Sequence, residues 1–146
     1  MLDINEIEKL IPHRFPFLLI DRILEIDEGK RAVGIKNVTM NDYFFQGHFP
    51  GKPIMPGVLM IESMAQLGAC ALMQSDKFKG KLLVLTGVNR CKFRGTVIPG
   101  DQMRIEIQFS EMKMGMGKGK GKITVDDKLI CEAELMFDAV DSQDEK

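Results

Sequence analysis

Two side chains in this sequence are suited by type and setting to move protons. His48 stands in GHFPGKPIMPG, residues 47–57, which holds three of the six prolines, three glycines and one of the two histidines. Glu62 is the only carboxylate in the apolar run VLMIESMAQLGACALM, residues 58–73. An unperturbed imidazole titrates at a pKa of about 6.5 and can act as a general base. Gly47, Pro50, Gly51 and Pro53 favour one fixed backbone path around it, and fixed placement is what a catalytic group requires. The plain alternative is a structural histidine hydrogen-bonded within a loop. For Glu62 the plain alternative is a solvent-facing stripe of the helix, made of Glu62, Ser63 and Gln66. Gln66 lies four residues beyond Glu62, on the same helix face, so its amide can support the carboxyl. Burial of that face would favour the protonated acid.

A third group is the helix N-terminus. Pro56 suits the first turn, where a missing N–H costs nothing. The free N–H groups that follow favour developing negative charge. Gly57 has no side chain to block a ligand atom there. Glu62 follows five residues on, roughly 7–8 Å along the axis at ~1.5 Å per residue. A base, an acid and an oxyanion donor together suit β-elimination of water next to a carbonyl, with no metal required. With two histidines, no H-E-x-x-H and no cysteine cluster, a metal site is not expected.

The elements that must hold these groups follow from patterning. Asp3 and Glu6 form a capping box for a short helix that Pro12 stops. FLLIDRILEID and RAVGIKNVT read as strands joined at Glu28-Gly29 into a hairpin. Residues 40–55 show no sustained period, yet their aromatics and prolines point to an ordered, functional loop. A helix is expected from Pro56 to Gln74. LLVLTGVNRCKF, MRIEIQFSEM and KLICEAELMF then read as strands, the last after a turn at Asp126-Asp127. In MRIEIQFSEM, Met103, Ile105, Ile107 and Phe109 alternate with polar residues, as in a half-buried strand. GMGKGKGK fits neither phosphate-loop spacing and reads as a twisted, glycine-rich strand with outward lysines. One buried helix and five or six strands give an α+β fold with an antiparallel sheet. The helix is apolar nearly all round, so the sheet must curl about it, a second subunit must cover it, or both.

The segments GHFPGKPIMPGVLMIESMAQ, IPHRFPFLLIDRI, FRGTVIPGDQMRIEI and CEAELMF closely resemble the 3-hydroxyacyl-[acyl-carrier-protein] dehydratases of type II fatty-acid synthesis. The resemblance spans nearly the whole chain. It implies a hotdog fold, a long central helix wrapped by a curved antiparallel sheet; the domain is expected over residues 1–138, and the acidic, polar residues 139–146 are expected to fray. It implies a homodimer with sheets joined across the interface, assembling further into a hexamer as a trimer of dimers. By the same resemblance His48 and Glu62 are the catalytic pair, supplied by different subunits. The Gly57 N–H receives the thioester carbonyl, the Val58 carbonyl orients the imidazole, and Gln66 braces the acid. The family uses no dissociable cofactor. A glutamate at position 62 resembles the branch that dehydrates without isomerising the double bond.

An acyl chain needs an apolar tunnel, with Phe49, Met60, Met64 and Leu67 as candidate lining and plain core packing as the alternative. LLVLTGV is aliphatic where some members carry an aromatic near the tunnel mouth, so no aromatic gate is inferred there. Arg90, Lys92 and Arg94 alternate along one strand and are candidates for docking the acidic carrier protein. The same resemblance leaves two rivals. A hotdog thioesterase typically uses a helix carboxylate but lacks this histidine loop. A non-catalytic acyl-binding module would not require both His48 and Glu62. A peptide in the His48 loop is a place for a cis bond, with Phe49-Pro50 favoured by chemistry.

Bulk properties agree with a single domain of 146 residues. A net charge of −1 argues against a nucleic-acid partner, which needs a basic excess. Three separated cysteines without C-x-x-C suggest a reducing compartment. The first ten residues carry three acids and no apolar core of a signal peptide. The longest apolar run is interrupted by Glu62, Ser63 and Gln66, so no membrane span is expected. The expected location is the cytoplasm.

Overall fold

The computed structural model describes residues 1–142, with Glu111 described by its backbone only. Helix α1 (Ile4–Leu10) opens with the expected capping box: Glu6 N–H donates to Asp3 Oδ1 at 3.0 Å, and Asp3 N–H donates to the Glu6 carboxylate. Strands β1 (Arg22–Asp27) and β2 (Arg31–Asn37) form a hairpin, with Gly29 in the left-handed region at φ 72°. A one-turn 3₁₀ helix (Tyr43–Gln46) interrupts the long loop, and helix α2 (Gly57–Met73) follows, with Pro56 at its N-cap and Gln74 at its C-cap. Then come β3 (Lys81–Phe93), β4 (Gln102–Lys113), β5 (Met116–Val125) and β6 (Lys128–Asp141).

All strand pairs are antiparallel, in the order β1-β2-β4-β5-β6-β3. The curved sheet wraps the central helix, which is the expected α+β hotdog arrangement. Two-residue turns join β4 to β5 at Met114-Gly115 and β5 to β6 at Asp126-Asp127; all four residues have positive φ, as tight hairpins of this hand require. Met103, Ile105 and Ile107 point inward and are fully buried, as their alternation predicts.

Strand β5 explains the glycine repeat. Its lysines 118, 120 and 122 face outward, and the glycines between them face α2. A Cβ on Gly121 would lie 2.6 Å from Met64 Sδ, and one on Gly119 would lie 3.2 Å from Ile107 Cδ1. Gly121 lets the helix approach the sheet more closely than a side chain would allow, and Gly119 makes room for Ile107 of β4.

Two boundaries differ from expectation. FLLIDRILEID is a strand only from Arg22, because the backbone groups of Phe17 and Leu19 bond to the side-chain amide of Gln66 on α2 instead of to a neighbouring strand. At the other end, β6 continues through Ala139, Val140 and Asp141, which pair with Leu83, Leu82 and Lys81. The ladder therefore runs three residues past the boundary expected at 138; residues 143–146 lie outside the described residues. Among the described residues no helix is long and apolar enough to cross a membrane.

Candidate active site

The loop that carries His48 is anchored at both ends. Upstream, Asp42 accepts from Thr39 N–H at 3.0 Å and pairs with the buried Lys36 at 3.2 Å. The Phe44 and Phe45 rings sink into the core with centroids 4.6 Å apart. Downstream, Met55 N–H bonds to the Val97 carbonyl at 2.8 Å. Between these anchors the backbone closes on itself. Phe49 and Lys52 exchange N–H···O bonds of 3.0 and 2.8 Å, and Ile54 N–H donates to the His48 carbonyl at 3.0 Å. Gly51 supplies the positive φ of 78° that this tight path needs. The cis peptide of the loop is His48–Phe49, and Phe49–Pro50 is trans, the reverse of the expectation; a second cis bond is Phe15–Pro16.

His48 Nδ1 lies 2.7 Å from the Ile54 carbonyl. A carbonyl can only accept, so Nδ1 carries the proton and Nε2 is left as a bare lone pair. That is the tautomer a general base needs. The orienting carbonyl is Ile54, not Val58. Val58 lies in the first turn of α2, where its carbonyl points along the axis toward the N–H of residue 62. The Phe49 ring stacks on the imidazole at 3.9 Å between centroids.

Glu62 projects from α2 and is 24% exposed in its side chain. Gln66 is fully buried and makes three contacts that fix it. Its Oε1 accepts from Leu19 N–H at 2.8 Å, and its Nε2 donates to the Phe17 carbonyl at 2.7 Å and to Glu62 Oε2 at 2.9 Å. Gln66 thus ties Glu62 to the backbone of residues 17 and 19. Ser63, one residue from Glu62, is turned to the helix backbone and bonds to the Leu59 carbonyl.

A cleft of about 310 Å³ opens beside Glu62, lined by Pro12, His13, Ala65, Gln66, Ala69, residues 82–85 of β3 and Phe137. His48 does not line it. The tunnel candidates do not line it either: Met60, Met64 and Leu67 are buried in the core, and Phe49 lies against His48. Small residues at 65 and 69 share the Glu62 face and leave the room. That stripe was readable in the sequence, whereas the phase of a helix apolar on every side was not. A larger cavity, about 700 Å³, lies at the other end of α2 between Leu72, Phe78 and the β4–β5 turn. It holds neither His48 nor Glu62.

His13 also borders the Glu62 cleft. Its Nε2 sits 3.6 Å from Glu62 Oε2, and burial pushes its pKa below the ordinary histidine value, against the pull of Glu62. The signal was only a histidine next to Pro12; its meeting with Glu62 depends on how residues 11–19 cross the helix.

Gly57 opens α2, and no acceptor among the described residues takes its N–H. The space a side chain would fill there is occupied by the Phe93 ring, whose Cε1 would be 2.8 Å from a Cβ. A side chain at position 57 would therefore displace the Phe93 ring. Arg90 and Lys92 lie on β3 and Arg94 just beyond it, and the three do not form one row. A bulge between Asn89 and Lys92 breaks the alternation, Arg90 takes a φ of 51°, and Arg94 is ion-paired with Glu132. Among the described residues no group of three or more potential ligands is placed to hold a metal.

Comparison with known proteins places this geometry in a family. The FabA-like domain model matches residues 11–134. The 3-hydroxyacyl-[acyl-carrier-protein] dehydratase FabZ of Clostridium botulinum (strain Loch Maree / Type A3) is 57% identical over 136 residues, 93% of this chain and 94% of that protein. The enzyme of the same name from Geobacillus sp. (strain WCH70) is 54% identical over 137 residues, 94% of each chain. Among solved structures, the dehydratase heterocomplex ApeI:P from Xenorhabdus doucetiae superposes with a TM-score of 0.80 at 16% identity, covering 93% of this chain and 91% of that one. A hypothetical thioesterase from Streptococcus pneumoniae shares the fold at a TM-score of 0.64 and 11% identity, over 82% and 85% of the two chains. The match across residues 11–134 and the identity to its curated relatives establish that this chain belongs to the FabA-like family.

Proposed function

We infer that the protein is a hydro-lyase of fatty-acid synthesis that dehydrates 3-hydroxyacyl chains carried on acyl carrier protein. The observation that carries the mechanism is the fixed tautomer of His48, whose Nδ1–H is held by Ile54 and whose Nε2 is free. His48 Nε2 removes the C2 proton of the (3R)-3-hydroxyacyl thioester, and the Gly57 N–H takes the charge that builds on the carbonyl oxygen. Glu62 gives its proton to the C3 hydroxyl, which leaves as water. The C2–H and C3–O bonds break and the trans-2 double bond forms. Proton exchange with solvent then restores both groups.

Base and acid come from different subunits in this reading. Its support is that His48 does not line the Glu62 cleft of its own chain. The sheet also ends on β3, a 13-residue edge strand with Val84, Val88 and Phe93 exposed, and an unpaired apolar edge of that length invites another strand. Two such edges pair to give the dimer, and dimers assemble further into a hexamer. The glutamate at position 62 goes with dehydration alone, without isomerisation. The protein forms one domain with a short acidic tail and works in the cytoplasm, where its carrier-bound substrates are handled.

The test follows the conjugated enoyl absorbance with a 3-hydroxyacyl or an enoyl thioester. The expected result is interconversion of the two without thiol release. Release of free thiol would instead establish a thioesterase, and neither reaction would leave a binding module. His48→Ala and Glu62→Ala should each lower turnover at least ~100-fold. Mixing the two inactive variants under subunit exchange should recover activity; none recovered would overturn the shared site.

A further inference from the structure

His13 lies where the chain leaves α1 and crosses α2. Its Nε2 faces Glu62 Oε2 at 3.6 Å, and its Nδ1 is buried without a hydrogen-bond partner among the described residues. Together these facts fix the tautomer. An orphaned buried N–H is rare, while an under-satisfied acceptor is better tolerated. Nδ1 is therefore the bare nitrogen, and Nε2 carries the proton toward the carboxyl. A second proton would bury an orphan N–H at Nδ1. Burial accordingly holds the imidazole's pKa down, opposed by Glu62 and aided by Arg14. Arg14 itself is turned to the backbone carbonyls of Glu8, Ile11 and His13. His13 is thus a neutral donor.

Glu62 Oε2 already accepts from Gln66 Nε2. His13 Nε2 stands 3.6 Å from the same oxygen, just beyond hydrogen-bond range, and Oε1 has no partner among the described residues. We propose that His13 is a positioning residue for the acid: with Gln66 it occupies Oε2 and leaves Oε1 as the oxygen that bears the transferable proton. The proposal rests on Glu62 serving as the general acid. When Oε1 gives up its proton, negative charge appears on a carboxylate at which two donors are already aimed. The separation of 3.6 Å closes as that charge develops, since catalytic hydrogen bonds commonly tighten beyond the unliganded state.

The experiment compares His13→Phe, His13→Gln and His13→Asn with the wild type. Glutamine can place an N–H where Nε2–H stands; asparagine is too short. His13→Phe should lower kcat about tenfold with KM within about twofold. Its high-pH limb of kcat should move upward, because losing a donor disfavours the carboxylate. His13→Gln should keep most of the rate and His13→Asn should not. A wild-type kcat and an unmoved limb in His13→Phe would overturn the proposal. If that variant fails to fold, equal rates for the glutamine and asparagine variants would overturn it. A carboxyl ¹³C titration of Glu62 in the unliganded protein needs no turnover. Its pKa should be higher in His13→Asn than in His13→Gln, and equal values would sink the proposal. Wild-type dehydration, measured first, tests the functional reading separately.

Discussion

Replacing Gln66 by methionine tests the junction between fold and site. Methionine nearly conserves the volume, so packing is little changed, but all three hydrogen bonds are lost. Leu19 N–H is then left buried with no acceptor, at a cost of about 1–3 kcal/mol. The Phe17 carbonyl and Glu62 are part-exposed and can turn to water, so each loses only the net value of a bond, about 0.5–1.5 kcal/mol. The sum is about 4 kcal/mol. For a chain of this length each kcal/mol moves the midpoint by about 3 °C, so the thermal midpoint should fall by about 12 °C. The assay is thermal unfolding at one fixed protein concentration, because any assembly makes the midpoint concentration-dependent. Dehydration should fall too, since Glu62 Oε2 loses its shorter donor. A folded Gln66→Met protein that melts within about 1 °C of the wild type would refute the reasoning, for it would mean that the clamp on residues 17–19 contributes nothing.

Gly121→Val should destabilise the fold by about 1–3 kcal/mol, because its Cβ would strike Met64 Sδ; a urea titration measures this, and Met64→Ala in the same chain should restore part of the loss. Gly57→Ala should lower kcat at least about tenfold, because the methyl group pushes the Phe93 ring across the helix N-terminus. Phe93 is 50% exposed and its displacement costs little packing, so the melting point should barely change, and steady-state kinetics with Phe93→Ala added should show recovery. Burial pushes the Cys70 and Cys131 thiols up to about 12, so an aromatic disulfide reagent at pH 8 should titrate at most one thiol per native chain, that of Cys91. Three fast thiols in the native state would contradict the burial.

The parts of the site that were legible in the sequence are those set by short-range chemistry. The Gly/Pro spacing around His48, the i,i+4 pair Glu62 and Gln66, and the capping box at Asp3 each act within a few residues. Their partners were harder to read because they depend on where distant segments return. Ile54 replaces Val58 at the imidazole because the loop curls back upon itself. His13 meets Glu62 because residues 11–19 pass over α2. Arg90 leaves the row of Lys92 and Arg94 because β3 must absorb an extra residue against β6. The glycine-rich strand β5 follows from the sequence, but the closeness of Met64 to Gly121 depends on another element.

Strand β3 gives the Glu62 cleft one wall, through residues 82–85, and is also an edge strand of the sheet. A strand paired with that edge would alter the shape of the Glu62 cleft. Self-association through β3 would make specific activity vary with the protein's own abundance. A small molecule that capped the edge would then inhibit without entering the cleft, and its potency would depend on enzyme concentration rather than on substrate concentration.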